Sequence, residues 1–120
     1  MKQQLLTKTV IWIGNSKKNI IQFPLEVKRT VGHALYFAQL GSHHPSAKIM
    51  KGLGSGIYEV IKDYRGDTYR AVYTVRFADT IYVLHAFQKK SKTGIKTPQE
   101  DINLIKERLK RAEEIENGKF

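Results

Sequence analysis

Arg70, Arg76, Lys89 and Lys90 are the side chains of this sequence best suited to holding a phosphate. They lie in two β-type runs, Tyr69 to Phe77 and Ile81 to Lys90, joined through Ala78-Asp79-Thr80. A hairpin of the two would carry arginines along one strand and release paired lysines at the end of the next. Glu59 and His85 add a carboxylate and an imidazole, the side-chain types that move protons in catalysis.

Alternation along the strands decides which of these side chains share a face. Arg70, Val72, Thr74 and Arg76 fall together, and Tyr69, Ala71, Tyr73, Val75 and Phe77 fall opposite. The second set is the more apolar and is expected to meet the helices. Arg70 is then either on an open face or in a cross-strand ion pair with Glu59. His85 has the parity of Val83 and Phe87, so it reads as a proton-transfer group or as a hydrogen-bonded histidine on a packed face. Lys89 and Lys90 read as an electrostatic clamp or, with Lys92 and Lys96, as a solvated basic loop. Lys62, opposite in parity to Glu59, offers a cation near its strand end, and Arg65 stands in the turn beyond it. The adjacent His43 and His44 make a poor metal pair, with no acidic residue at ligand spacing.

The elements that must position these groups are legible from pattern. Thr9 to Ile13 is a short β-type run, followed by Gly14-Asn15-Ser16 as turn and cap. A helix over Lys17 to Phe23 gives way to a second opened by Pro24, whose apolar stripe runs through Val27, Val31, Leu35, Ala38 and Leu40 and closes at Gly41. Residues 42–56 read as a glycine-containing loop. Three strands, about Ile57–Asp63, Tyr69–Phe77 and Ile81–Gln88, form an antiparallel meander. Thr97-Pro98-Gln99-Glu100 reads as a capping box, and Ile102, Ile105, Leu109 and Ala112 share one face of the helix it opens. The order is β-α-α-β-β-β-α. This is an α+β fold of two layers, with a small, mainly antiparallel sheet, helices on one face and the other face left for chemistry.

Composition narrows the partner. The 120 residues read as a single domain, 1–120, large enough to bury about two-thirds of its unfolded surface. Lys and Arg number 21 against 11 Asp and Glu, a net charge of +10. From Thr97 onward five cations face six anions, so the first 96 residues carry sixteen cations against five anions, or +11. A local excess of that size favours a polyanion such as RNA. Lys17 and Lys18 on the first helix, and Lys28-Arg29 on the second, fit such contacts; they are also what an exposed helical face carries. The absence of cysteine excludes disulfides, thiolate zinc sites and cysteine nucleophiles, and fits a reducing cytoplasm. No run approaches the ~20 apolar residues of a membrane span, and the N-terminus turns polar too soon for a signal peptide.

Taken in order, these residues resemble a known superfamily. The carriers are the Lys51-Gly52-Leu53-Gly54-Ser55-Gly56-Ile57-Tyr58-Glu59 entry to the sheet, the Tyr-Arg-x-Val-Tyr strand from Tyr69 to Tyr73, and His85-Ala86-Phe87-Gln88-Lys89-Lys90 followed by Thr97-Pro98. Over roughly Thr9 to Ala112 the chain is similar to RelE/ParE toxins, in the phage-derived, HigB-like branch of type II toxin–antitoxin systems. The resemblance implies a cytoplasmic, metal-independent mRNA endoribonuclease acting on translating ribosomes. It implies no cofactor, and inhibition by a cognate helix-turn-helix antitoxin. It places Arg70 on the scissile phosphate and Lys90 on transition-state charge, with Lys89 assisting. Glu59 stands where the RelE pattern has a lysine and Ile61 replaces a second, which leaves Glu59 or His85 to take the 2′-proton. Lys62, Arg65, Lys92, Lys17 and Lys18 would hold RNA. A gyrase inhibitor of the ParE kind and a non-catalytic RNA- or protein-binding module share the same fold and stand as the rival readings.

Overall fold

The computed structural model describes residues 7–89 and 96–119. Its elements are β1 (Thr9–Trp12), α1 (Ser16–Ile21), α2 (Leu25–Gln39), β2 (Ala47–Ile49), β3 (Ile57–Tyr64), β4 (Asp67–Thr74), β5 (Thr80–Lys89) and α3 (Gln99–Asn117). The five strands form one sheet in the order β1-β5-β4-β3-β2. Every pairing is antiparallel except β1 with β5. The α+β, mainly antiparallel architecture expected from the sequence is therefore present.

Apolar periodicity explains how the layers assemble. Val27, Val31, Ala34, Leu35 and Ala38 recur at helical spacing along α2 and are buried, together with Ile20 of α1. They meet Val60, Tyr69, Ala71, Tyr73, Ile81, Val83 and Ala86 on one face of the sheet. Each Val, Leu or Ile among them, fully buried, contributes roughly 1.5–3 kcal/mol. The opposite face is not left bare. Ile105, Leu109 and Ala112 of α3 pack there on Ile57, Val72, Tyr82 and Leu84.

Three local expectations are corrected. Residues 42–56 contain β2, which pairs Ala47–Ile49 with Tyr58–Val60; three residues are too few to show alternation. The β3–β4 link tightens to two residues, Arg65 at φ +50° and Gly66 at φ +86°, the pair of positive angles a primed hairpin turn needs. β4 ends at Thr74, short of Phe77. The Thr74 hydroxyl accepts from the Arg76 amide and donates to the Gly56 carbonyl, which turns the chain out of the ladder. Arg76 then donates to the Leu53 and Ser55 carbonyls and to Glu113 of α3, so it holds the glycine loop rather than a ligand.

The second and third helices also start differently from the pattern. Pro24 and Pro98 occupy the N-cap positions, not the first helical turn. Thr97 caps nothing in α3, because its hydroxyl has charged partners in the sheet.

Tyr73 is 1 % exposed and its hydroxyl meets no hydrogen-bond partner among the described residues. Burial, and secondarily the charge of Tyr58, push its pKa up from 10.0 to about 12. The neutral phenol is the form the fold holds, so this contribution is intact below pH ~10 and is lost as pH rises toward ~12. Tyr73→Phe is expected to match or exceed the parent stability at neutral pH by about 1 kcal/mol. It is also expected to lose less stability between neutral pH and pH ~11, which urea midpoints at the two pH values check.

Candidate functional site

The face of β3, β4 and β5 that carries Arg70 gathers most of the polar groups with chemical potential. Arg70 has the parity expected, but it is 2 % exposed and not on an open surface. Its Nη1 donates to Glu59 Oε2 at 3.2 Å and to Thr97 Oγ1 at 3.0 Å. The Thr97 hydroxyl in turn donates to Glu59 Oε2 at 3.0 Å. The cross-strand ion pair with Glu59 is thus present, closed by a third residue from the approach to α3. One carboxylate oxygen of Glu59 thus accepts from both a guanidinium and a hydroxyl.

His85 reaches the same face through a fault in the ladder. Register runs Val72↔His85 but Tyr73↔Val83, so Leu84 is an extra residue, a β-bulge. Strict alternation would keep His85 with Val83 on the α1–α2 side. The bulge reverses parity: Leu84 packs under α3, and His85 Nε2 lies 2.8 Å from Asp101 Oδ1 of that helix. The ring stacks on Phe87, centroids 4.8 Å apart. Its other nitrogen lies 3.5 Å from Arg108 Nη1.

Arg108 is fixed independently. It donates to the Leu84 carbonyl at 3.0 Å and to Asn15 Oδ1 at 2.8 Å. Its guanidinium also lies where a Cβ on Gly14 would stand, 2.7 Å away, and Gly14 has φ +56°. Glycine here admits both the backbone angle and the cation. Burial pulls the Arg108 pKa down, with Glu107 opposing, but a guanidinium stays protonated.

The remaining candidates divide. Lys89 ends β5 and donates to the Lys96 carbonyl at 2.7 Å, which brings together the two ends of the lysine-rich segment. Lys90 and Lys92 lie outside the described residues. Lys62 is on the wrong face for this cluster, because it pairs with Tyr69 across the ladder and its Nζ lies 3.4 Å from Glu26 of α2. Arg65 sits at the tip of the β3–β4 turn with its guanidinium 5.2 Å from the Tyr64 ring centroid. Lys17 and Lys18 are exposed on α1, on the other side of the sheet, Lys17 above Trp12 at 6.0 Å. His43 stacks on Tyr58 while His44 accepts from the Ser46 amide, so the two rings serve different contacts. Among the described residues no three His, Asp or Glu side chains converge as a metal site, and no helix is long and apolar enough to cross a membrane.

Sequence reasoning missed Thr97, Asp101 and Arg108. Thr97 reads as a cap, and the pattern of α3 singles out only its apolar face, Ile102, Ile105, Leu109 and Ala112. The only available signal was that they share the sheet-facing side with Ile105 and Ala112.

This fold, two helices against one face of a five-stranded sheet and a third helix over a polar cluster on the other, is that of RelE-type toxins. An E. coli RelE toxin, a double arginine-to-alanine mutant in the free state, matches with a TM-score of 0.55 at 16% identity, covering 88% of this chain and 98% of that one. The toxin–antitoxin complex RelBE2 from Mycobacterium tuberculosis gives a TM-score of 0.45 at 16% identity, over 75% of this chain and 100% of its own. No curated protein matches the chain significantly. The model of the family "Phage derived protein Gp49-like (DUF891)" matches residues 18–110, and the chain belongs to that family.

Arg70→Ala is expected to lower stability by about 3–5 kcal/mol, because it strips the buried Glu59 of its countercharge. Replacing both residues with leucine should recover most of the loss, and comparing urea midpoints of the two variants with the parent decides it.

Proposed function

We propose that this protein is the toxin of a type II toxin–antitoxin pair and cleaves mRNA on translating ribosomes without a metal. The observation that supports this reading best is the grouping of Arg70, Glu59, His85, Asp101 and Arg108 on one sheet face, beside the strand end where Lys89 stands. Membership in the Gp49-like family and the RelE fold agree with it.

In the proposed reaction the RNA 2′-oxygen attacks the adjacent phosphorus and the 5′-oxygen leaves, giving a 2′,3′-cyclic phosphate. Arg70 already binds two oxygens, those of Glu59 and Thr97. Phosphate oxygens are equivalent acceptors, and substrate would displace Thr97 to reach the guanidinium. Lys89 and Lys90 add positive charge around the phosphorane, and one of them protonates the leaving oxygen. Because Glu59 is occupied by Arg70 and Thr97, His85 is assigned the 2′-proton. Lys17, Lys18, Arg65 and Lys92 supply backbone attraction to RNA, and Lys62 is reassigned to the Glu26 ion pair. The partner that restrains the toxin is a co-encoded helix-turn-helix antitoxin, and the setting is the cytoplasm.

Mapping transcript 5′ ends after brief induction tests the reading. New cuts inside reading frames are expected for the parent, falling by about 10²-fold or more in Arg70→Lys and His85→Gln. Growth arrest with intact transcripts would instead support a gyrase-directed toxin, and the absence of arrest a non-catalytic module.

A further inference from the structure

His85 is held at both ring nitrogens by one helix. Asp101 and Arg108 are seven residues apart on α3, about two turns, and stand on one stripe. A carboxylate can only accept, so the 2.8 Å contact with Asp101 places the hydrogen on Nε2. A guanidinium can only donate, so the 3.5 Å approach of Arg108 Nη1 leaves Nδ1 with its lone pair. The two contacts specify the same tautomer. Nor does the Arg108 position depend on His85, since the Leu84 carbonyl and Asn15 anchor it.

We propose that Asp101 and Arg108 are positioning residues for the proton transfer assigned to His85. Asp101 holds the ring as the Nε2–H tautomer and stabilises the imidazolium formed when Nδ1 takes the 2′-proton. Arg108 keeps Nδ1 an acceptor until the substrate hydroxyl replaces it. By disfavouring the cation it then helps His85 release the proton to water, and the lysine that protonated the leaving oxygen regains one from water. This inference rests on the endoribonuclease reading of the same site. Among the described residues the charged groups on the His85 face are Asp101 and Arg108 from α3, Arg70 from β4 paired with Glu59 from β3, and Lys89 at the end of β5. Glu107 is the further anion that acts on Arg108. Arg70 and Glu59 offset each other, so the α3 pair sets the balance at the ring.

Long-range proton–nitrogen NMR of the full chain reads the tautomer of His85 directly. The parent is expected to show the Nε2–H form. Asp101→Asn and Arg108→Gln each replace a group of fixed direction with an amide that can both donate and accept, so the Nδ1–H form should appear in either variant. Cleavage of a transcript in a reconstituted translation reaction should fall by about 10²-fold in kcat for Asp101→Asn, with KM changed less than about threefold. Asp101→Glu should restore part of the rate.

An Nδ1–H tautomer in the parent overturns the proposal without any variant. So does a tautomer ratio that stays put in variants whose near-ultraviolet circular dichroism matches the parent. A parent that holds the Nε2–H form but leaves RNA intact overturns the endoribonuclease reading and the proton-transfer role with it, while the tautomer and its loss in the variants still establish the clasp.

Discussion

A guanidinium placed in the interior must be given oxygens, and much of this molecule follows from that requirement at Arg70. Water is excluded from the side chain, so its charge has to be met locally by a carboxylate and a hydroxyl. Glu59 supplies the first from the neighbouring strand, and Thr97 supplies the second from outside the sheet. Drawing Thr97 inward fixes where α3 begins. The helix then carries Asp101 and Arg108 over the next strand, one and three turns further on, where they meet His85. A single buried charge thus sets the registry of a whole helix against the sheet.

The bulge at Leu84 is the second half of that arrangement. Without the bulge, in regular alternation from Val83 through Leu84, His85 would point into the apolar layer beneath α1 and α2, where its nitrogens would lack these partners. With it, the β5 side chains change face midway. Val83 and Ala86 remain in the first core, while Leu84 and His85 serve the second. Bulges re-aim side chains at the expense of regular pairing. Here the re-aimed residue is the imidazole.

Charge and packing are divided along the same line. The helix over the polar cluster belongs to the part of the chain that is nearly neutral, and the surplus of lysine and arginine belongs to the residues before it. On this fold a polyanion is attracted by the body, while α3 shields the cluster with charges of both signs that largely cancel. The two α3 residues reaching His85 have opposite signs, so they shape the site without altering its net charge.

Much of the fold was legible in the sequence because its causes are local. Apolar spacing in α2 and α3, β-rich runs between turn residues, and Pro24 and Pro98 near helix starts each act over a few residues. The parity of Arg70 and its option of pairing with Glu59 were readable for the same reason. The short β2 strand carried too few residues to announce itself. The place of Lys62 depended on which element covered its face, and Glu26 lies far away in sequence. The approach of Thr97 to Glu59 spans 38 residues and that of Arg108 to Asn15 spans 93, distances no periodicity encodes. Sequence alone therefore determined the elements, their apolar faces and the cationic body of this protein. Only the tertiary structure decided the bulge, the burial of Arg70 and the clasp on His85, because each depends on how a distant helix satisfies polar groups that the strands cannot satisfy among themselves.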